Sequence, residues 1–315
     1  MKFNKLGNTD IDVSLICLGS MTWGEQNTEA EGFAQMDLAV DRGINFFDVA
    51  ELYPIPPRPE TYGATEQIMG NWLAKRGCRD EIVVATKVTG RSSRNSNIGH
   101  IRDGARLSRE HVIQAVEDSL KRLQTDYIDL YQVHWPERGT NFFGRLEYEH
   151  GDDDGIAVEE TLRALGEMVE QGKIRHIGLS NESAWGMMEY LRLAERYDLP
   201  KVVSIQNPYN LLNRTFDIGA GEIAIREKVG LLAYSPLAFG VLSGKYLNGA
   251  RPEGARLSLY DRFTRYFKTN VDEATEAYVN LARENGMSPA QMALAFINQR
   301  QCITSNIIGA TTLEQ

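Results

Sequence analysis

The sequence predicts a (β/α)8 barrel, one domain over residues 1–315, on three observations. Short apolar runs alternate with helical segments along the whole chain, at a pitch of roughly 25 to 45 residues. No linker divides these units into two groups, and 315 residues suit one barrel of this kind. No GxGxxG motif follows the first run, so the phosphate-binding turn of an open dinucleotide-binding sheet is missing. Strand–helix alternation implies right-handed crossovers and a parallel sheet.

Each predicted strand is a short apolar run bounded by turn residues. A run that is apolar throughout is typical of a parallel strand buried on both faces. The predicted strands are Val13–Leu18, Ile44–Asp48, Glu81–Lys87, Tyr127–His134, Ile174–Leu179, Val202–Gln206, Leu231–Tyr234 and Ile303–Ile308.

The predicted helices show apolar positions at helical spacing and recognisable ends. Thr28 is an N-cap with Glu31 as its capping-box partner, Ser288 caps a helix that has Pro289 at its first position, and Gly172 ends another. The predicted helices are Thr28–Arg42, Glu66–Arg76, Ser108–Arg122, Ala157–Gly172, Ser183–Tyr197, Glu222–Lys228, Asp272–Asn285 and Pro289–Arg300.

Long loops follow several of the predicted strands. The proline-rich segment PIPPRPETYG follows Tyr53, a polar arginine-containing segment covers 89–108, and Arg138–Gly155 is a second long connection. Long loops in compact domains are often functional, so we expect them at the rim of a site. The arginines of 89–108 suggest either anion binding or an ordinary solvated loop.

Composition excludes several classes of function. Hydrophobic residues make up 42% and charged residues 24%, as in an ordinary soluble protein. The net charge of −9 argues against a nucleic-acid partner. No apolar run reaches ~18 residues, so we expect no membrane-spanning helix. The start, MKFNKLGNTD, is not a secretory signal, and three cysteines without metal-ligand spacing suit a cytoplasmic protein with no metal.

Four polar side chains that are capable of chemistry fall at or just beyond the ends of three predicted strands. They are Asp48, Tyr53, Lys87 and His134. Singly, an Asp at a strand end is typical of a turn, a Lys of a solvated surface and a His of a structural hydrogen bond. Because the carboxyl ends of parallel strands meet at one edge, their joint occurrence indicates an active site.

At the level of motifs, the chain resembles the aldo-keto reductases. Among them it is most similar to the Tas-type bacterial members, which are relatives of the potassium-channel β-subunits. The motifs, which are spread along the chain from Gly43 to Gln315, are GINFFDVAELY, ATKV, SLKRLQTDYIDLYQVHWP, GKIRHIGLSN, SIQNPYNLL, AYSPLAFGVLSGKY, SPAQMALAF and IIGATTLEQ.

The resemblance implies a catalytic role for each of the four side chains. Tyr53 is the general acid that protonates a carbonyl oxygen, and His134 orients that oxygen through a hydrogen bond. Lys87, held by Asp48, is expected to lower the pKa of Tyr53 from about 10. Tyr62 is a rival for the acid, because the family often has a Tyr-Gly pair there; the five-residue offset from Asp48 favours Tyr53.

The resemblance also implies a nicotinamide dinucleotide, with NADP(H) preferred over NAD(H). Ser180, Asn181 and Gln206 are expected to hold the carboxamide, and Tyr234 to stack on the nicotinamide ring. Lys245 and Arg256 are expected at the phosphates, although Arg256 is as readily explained as an exposed charge. The full set of expected cofactor residues is Ser20, Met21, Asp48, Ser180, Asn181, Gln206, Tyr234, Ser235, Pro236, Leu237, Ala238, Phe239, Gly240, Lys245, Arg256, Gly309, Thr311 and Gln315.

The chain departs from the family pattern in two places. The family continues past the position of Gln315 into a final helix, so we expect a disordered or truncated tail here rather than a true terminus. The PIPPRP insertion alters one wall of the expected substrate pocket.

Three functions follow from these residues. The first is NADPH-dependent reduction of an aldehyde or ketone. The second is an NADP-binding regulatory or partner protein with little turnover, as in the channel β-subunits; a complete catalytic set disfavours it. The third is a barrel lyase or isomerase without nucleotide, which the Tyr234–Lys245 segment disfavours. The physiological substrate, the direction of reaction and the oligomeric state are left open.

Overall fold

The chain folds around a closed barrel of parallel strands, which confirms the predicted fold. A computed structural model describes residues 1–152 and 154–315; Asp153, within the predicted Arg138–Gly155 loop, lies outside them. The strands are β1 (Phe3–Lys5), β2 (Asp12–Ser14), β3 (Ile16–Gly19), β4 (Phe46–Asp48), β5 (Val83–Val88), β6 (Ile128–Val133), β7 (Ile174–Ser180), β8 (Val202–Pro208), β9 (Gly230–Tyr234) and β10 (Ile303–Ile308). Strands β3 to β10 follow one another around the barrel in chain order, and β10 pairs with β3 to close it.

Helices surround the barrel, and most of them connect one strand to the next. They are α1 (Glu29–Asp41), α2 (Ala64–Arg76), α3 (Arg109–Leu123), α4 (Val158–Glu170), α5 (Ala184–Tyr197), α6 (Thr215–Arg226), α7 (Arg256–Leu259), α8 (Val271–Glu284) and α9 (Pro289–Asn298). The predicted capping boxes of α1 and α9 are both present, at Thr28 with Glu31 and at Ser288 with Gln291.

The two largest clusters of buried apolar side chains lie outside and inside the barrel. The larger core lies between the strands and the outer helices, where Trp72 and Leu165 are buried among other large side chains. The smaller core contains Cys17, Phe46 and Leu130, which come from strands β3, β4 and β6. This inner cluster makes the barrel a packed core rather than a pore.

An amino-terminal hairpin corrects the predicted first strand. The apolar run Val13–Leu18 is divided: β2 pairs antiparallel with β1, and only β3 belongs to the barrel. Leu6 and Val13 of this hairpin are fully buried in the same cluster as the barrel-interior side chains. An apolar run does not by itself show where one strand ends and another begins, because both pieces are buried.

The helix predicted over Glu222–Lys228 begins earlier than expected. Helix α6 starts at Thr215 and ends at Arg226. Glycines at 219 and 221 disfavour a helix in sequence, but α6 packs against α5 and β8, where Phe216 and Ala224 are buried. Tertiary packing therefore outweighs the local propensity.

No helix among the described residues is long and apolar enough to cross a membrane.

Candidate active site

The carboxyl ends of three neighbouring strands bring the predicted catalytic side chains together. Asp48 is the last residue of β4, Lys87 lies near the end of β5, and His134 directly follows β6. Asp48 pairs in register with Ala85, and Lys87 with Gln132. Hydrogen bonds between adjacent strands therefore fix the relative heights of these groups.

A buried ion pair forms the base of the site. The Lys87 ammonium donates to Asp48 Oδ1 at 2.6 Å and to the Val49 carbonyl at 2.8 Å, and the Lys87 side chain has no exposed surface. Its nitrogen lies 4.9 Å from the centre of the Tyr53 ring. Burial lowers the pKa of Lys87, but the charges of Asp48 and Tyr53 outweigh this and raise the pKa above its ordinary value. The lysine is therefore a permanent cation beside Tyr53.

Two glutamines donate further hydrogen bonds to Asp48. Asp48 Oδ2 accepts hydrogen bonds from the side-chain amides of Gln132 at 3.1 Å and Gln206 at 2.8 Å. Gln206 also donates to Gln132 Oε1 at 3.2 Å. The amide group of Gln206 is thus directed at the carboxylate, whereas we expected it at a carboxamide. Gln132 was missed in the sequence, although its spacing from Leu130 and His134 places all three on one face of the strand.

His134 is a neutral imidazole in this site. Complete burial, reinforced by the charge of Lys87, lowers the pKa of His134 well below its ordinary value. Its ring meets that of Tyr53 edge-on, with the ring centres 5.6 Å apart. The Nδ1 atom is buried without a hydrogen-bond partner among the described residues.

The pKa of Tyr53 differs from the sequence expectation. Burial raises the pKa of Tyr53 above 10.0, and Lys87 opposes that rise without cancelling it. The expectation that Lys87 sets the direction was wrong, because desolvation of a phenolate outweighs one nearby cation here. Tyr53 is consequently protonated at neutral pH.

Tyr62, the rival for the acid, belongs to a separate buried cluster. Its hydroxyl donates to Glu51 Oε2 at 2.9 Å. Glu51 also accepts two hydrogen bonds of 2.7 Å from Arg102 and one of 2.6 Å from the Thr89 amide. This cluster joins the loop after β4 to the segments that follow β5. It therefore fixes the loop that carries Tyr53.

The Glu51 cluster predicts an acid-dependent loss of stability. Burial raises the pKa of Glu51, but the charge and hydrogen bonds of Arg102 outweigh it and lower the pKa from 4.5 to about 2. Because the pKa of Glu51 is lower in the folded state than in the unfolded state, the ionised carboxylate stabilises the fold at pH values above the unfolded-state pKa. This stabilisation is lost as the pH falls toward 2, and a shift of this size corresponds to about 3 kcal/mol. Urea unfolding of the wild type and Glu51→Gln should show that the wild type loses about 3 kcal/mol more between pH 5 and pH 2. Parallel pH curves would contradict this role.

Four of the expected cofactor residues form hydrogen bonds beside the catalytic side chains. Tyr234 donates to Asn181 Oδ1 at 2.6 Å, and the Asn181 amide donates to the His134 carbonyl at 2.9 Å and to Ser180 Oγ at 3.0 Å. Ser20 Oγ donates to the Asp48 carbonyl at 2.9 Å. The groups expected at the nicotinamide end are therefore connected to the catalytic residues by hydrogen bonds.

The segment after β9 winds tightly from Ser235 to Gly240. It forms a 3-10 helix over Ala238–Ser243, in which Phe239 and Gly240 have positive φ angles of 61° and 93°. A Cβ atom at Gly240 would lie 2.8 Å from Lys245 Cε and 3.1 Å from its nitrogen. Glycine at 240 thus allows the Lys245 side chain to lie across the backbone. Pro236 and Leu237 lie in the turn that precedes this helix.

Lys245 and Arg256 place two cations near each other. Burial lowers the pKa of each, and the charge of Arg256 lowers the pKa of Lys245 further. Within residues 1–152 and 154–315, no carboxylate forms an ion pair with either side chain. Two cations that have no counter-ion among the described residues and lie beside a glycine turn match the donor set that a phosphate requires. The site therefore fits the phosphates of a dinucleotide.

The remaining expected residues belong to two segments, the turn after β3 and the stretch after β10. Thr311 donates through its amide to Gln315 Oε1 at 3.0 Å, and its carbonyl accepts from Asn27 at 2.9 Å. Gly309 precedes them with open space around its Cβ position, and the Met21 carbonyl accepts from the Ile55 amide at 3.1 Å. Thr311 and Gln315 lie on the last stretch of the chain, after β10.

Among the described residues, no group of three His, Cys, Asp or Glu side chains has the geometry of a metal site.

Comparison with known proteins identifies the class of protein that this barrel and site define. The sequence profile described as the Aldo/keto reductase family matches residues 15–315. The chain belongs to that family and is an oxidoreductase.

Its individual relatives cover the whole chain. It is 54% identical to "Protein tas" of Escherichia coli (strain K12) over 316 aligned residues, covering 100% of this chain and 91% of the relative. It is 35% identical to "Uncharacterized oxidoreductase YrpG" of Bacillus subtilis (strain 168), covering 100% and 89%. It is 30% identical to a "Probable voltage-gated potassium channel subunit beta" of Arabidopsis thaliana, again covering 100% and 89%. The predicted family and its channel-subunit relatives are thereby confirmed.

Proposed function

We propose that the protein reduces an aldehyde or ketone to an alcohol with NADPH as the hydride donor and Tyr53 as the general acid. The observation that carries this proposal is the placement of Tyr53 between a permanent cation, Lys87, and a neutral imidazole, His134. An acid, a stabilising cation and a hydrogen-bond donor at one point are what carbonyl reduction requires.

Each side chain has one role in the proposed reaction. When bound, the nicotinamide supplies a hydride to the carbonyl carbon. His134, uncharged, donates a hydrogen bond that holds the carbonyl oxygen in place. As the electron pair of the C=O bond moves to that oxygen, Tyr53 transfers its proton there, and Lys87 stabilises the phenolate that remains. Asp48 keeps Lys87 oriented, since it accepts the hydrogen bond at 2.6 Å.

The preference for NADPH over NADH rests on Lys245 and Arg256, whose charges lack a carboxylate partner among the described residues. A charge-assisted contact to the 2′-phosphate is expected to make NADPH bind roughly 10- to 100-fold more tightly than NADH. Titration of both nucleotides, followed by nicotinamide fluorescence, measures this ratio. Arg256→Gln should weaken NADPH binding and leave NADH binding unchanged. Equal affinities in the wild type would contradict the assignment.

The alternative is an NADP-binding partner protein with little turnover, which the relative named as a probable potassium-channel β-subunit keeps open. Asp48, Tyr53, Lys87 and His134 are all present and assembled, and this favours the enzyme. Oxidation of NADPH with a panel of aldehydes and ketones separates the two functions. Tight NADPH binding without turnover of any carbonyl would favour the partner protein.

A further inference from the structure

Arg265, from a distant segment, reaches the edge of the site. Arg265 lies between α7 and α8, and its Nη1 donates to the Tyr234 hydroxyl at 3.1 Å. Through Tyr234 and Asn181, hydrogen bonds of 2.6 Å and 2.9 Å continue to the carbonyl of His134. The Arg265 side chain is therefore connected to the proposed reacting centre by a short chain of hydrogen bonds.

The position of Arg265 is fixed by the packing around it. The next residue, Tyr266, is buried, and its hydroxyl accepts a hydrogen bond of 2.8 Å from Asn210. On the other side, Gly144 has a φ of +95°, and a Cβ atom there would lie 2.8 Å from Arg265 Cγ. The backbone at Gly144 thus packs directly against the Arg265 stem.

Among the described residues, Arg265 lacks the carboxylate partner that three other arginines near the site have. Arg102 is paired with Glu51, Arg106 with Glu137 and Arg122 with Glu66. Within residues 1–152 and 154–315, no carboxylate forms an ion pair with Arg265, and its Nε is buried without a hydrogen-bond partner. Its guanidinium is instead surrounded by the rings of Tyr234, Phe143 and Phe239, at 5.5, 5.9 and 5.4 Å from their centres. A cation among aromatic rings, without a carboxylate partner, can bind an incoming anion.

An aromatic wall connects Arg265 to the proposed acid. The ring centres of Tyr53 and His134 are 5.6 Å apart, those of His134 and Trp135 are 5.0 Å apart, and those of Trp135 and Phe143 are 5.7 Å apart. The Arg265 guanidinium lies beyond Phe143. A ligand along this wall would have its carbonyl at Tyr53, an apolar body over the rings, and its far end at a cation.

From this arrangement we infer that Arg265 binds a carboxylate on the substrate, so that the site prefers aromatic or similarly apolar aldehydes and ketones that carry a carboxylate away from the carbonyl. This inference rests on the proposed function of the same site. A planar guanidinium suits a carboxylate because it can donate two parallel hydrogen bonds. A phosphate of the dinucleotide offers similar oxygens, but we expect the two neighbouring cations Lys245 and Arg256 to bind it.

The test compares 4-carboxybenzaldehyde with its uncharged methyl ester, methyl 4-formylbenzoate, as substrates with NADPH. The wild type should have the higher kcat/KM for the acid. Arg265→Gln should lower kcat/KM for the acid roughly 10- to 100-fold and leave that for the ester within about 3-fold.

Two further variants serve as controls. Arg265→Lys keeps the charge but loses the planar fork, so its kcat/KM for the acid should lie between those of the wild type and Arg265→Gln. Arg262→Gln is the matched control, because it removes an exposed charge from the same segment; it should change neither substrate.

Two results would overturn the inference while the proposed function stands. One is an equal loss for acid and ester in Arg265→Gln, which would indicate a structural role. The other is weakened NADPH binding in Arg265→Gln but not in Arg262→Gln, which would assign the guanidinium to a cofactor phosphate.

If the wild type reduces neither aldehyde, calorimetric binding of the two compounds decides the inference, separately from the carbonyl panel that tests the proposed function. Tighter binding of the acid that is lost in Arg265→Gln supports the carboxylate site. Equal binding of acid and ester overturns it.

Discussion

Tyr53→Phe is expected to lower kcat for carbonyl reduction by roughly 10²- to 10⁴-fold, the contribution of a positioned general acid. The substitution removes one hydroxyl from a buried ring and leaves the ring contacts with His134 and Lys87 in place. NADPH affinity should therefore stay within about 2-fold of the wild type. Single-turnover kinetics with saturating NADPH measure the loss at the chemical step.

Tyr62→Phe is the matched control for that experiment. It removes a hydroxyl that donates to Glu51 and has no contact with Lys87 among the described residues. The variant should keep kcat within about 3-fold while losing roughly 1.5 to 3 kcal/mol of stability, since a hydrogen bond to a buried carboxylate disappears. If Tyr62→Phe lost turnover and Tyr53→Phe kept it, the two tyrosines would exchange roles and the proposed mechanism would be wrong.

The barrel strands were predictable because parallel strands buried on both faces are apolar from end to end. The runs around Ile44–Asp48 and Ile303–Ile308 show this, and both were located correctly to within about two residues. The hairpin of β1 and β2 was not predicted. Its strands are only three residues each, and they follow no pattern that separates them from the apolar run of β3.

The site was predictable as far as strand ends determine it. Asp48, Lys87 and His134 come together because neighbouring strands end at one edge. The partners that adjust their chemistry were not predictable. Gln206 meets Asp48 from 158 residues away in the chain, and Arg265 comes from an irregular segment with no periodic signal. The rise in the pKa of Tyr53 likewise depends on burial, which cannot be obtained from a single sequence.

Lys87→Met tests whether the ion pair beneath Tyr53 serves stability as well as chemistry. The Lys87 and Asp48 side chains are 0% and 3% exposed. Removal of the cation leaves a buried carboxylate with only the two glutamine amides as side-chain donors among the described residues. Loss of one member of a buried pair costs about 3 to 5 kcal/mol. Urea unfolding at pH 7 should show this loss, and kcat should fall by at least roughly 10²-fold.

The double variant Asp48→Asn/Lys87→Met separates the two effects. It removes both charges, so no uncompensated ion is buried, and the free energy of unfolding should recover by more than half. Turnover should not recover, because the cation beside Tyr53 is still missing. Lys121→Met is the control, since that side chain is 74% exposed and paired on the surface with Asp118; it should cost less than about 1 kcal/mol. If Lys87→Met were as stable as Lys121→Met, the buried Asp48 carboxylate would not need Lys87 for the stability of the fold. A double variant that regained turnover would show that the reaction does not require the lysine.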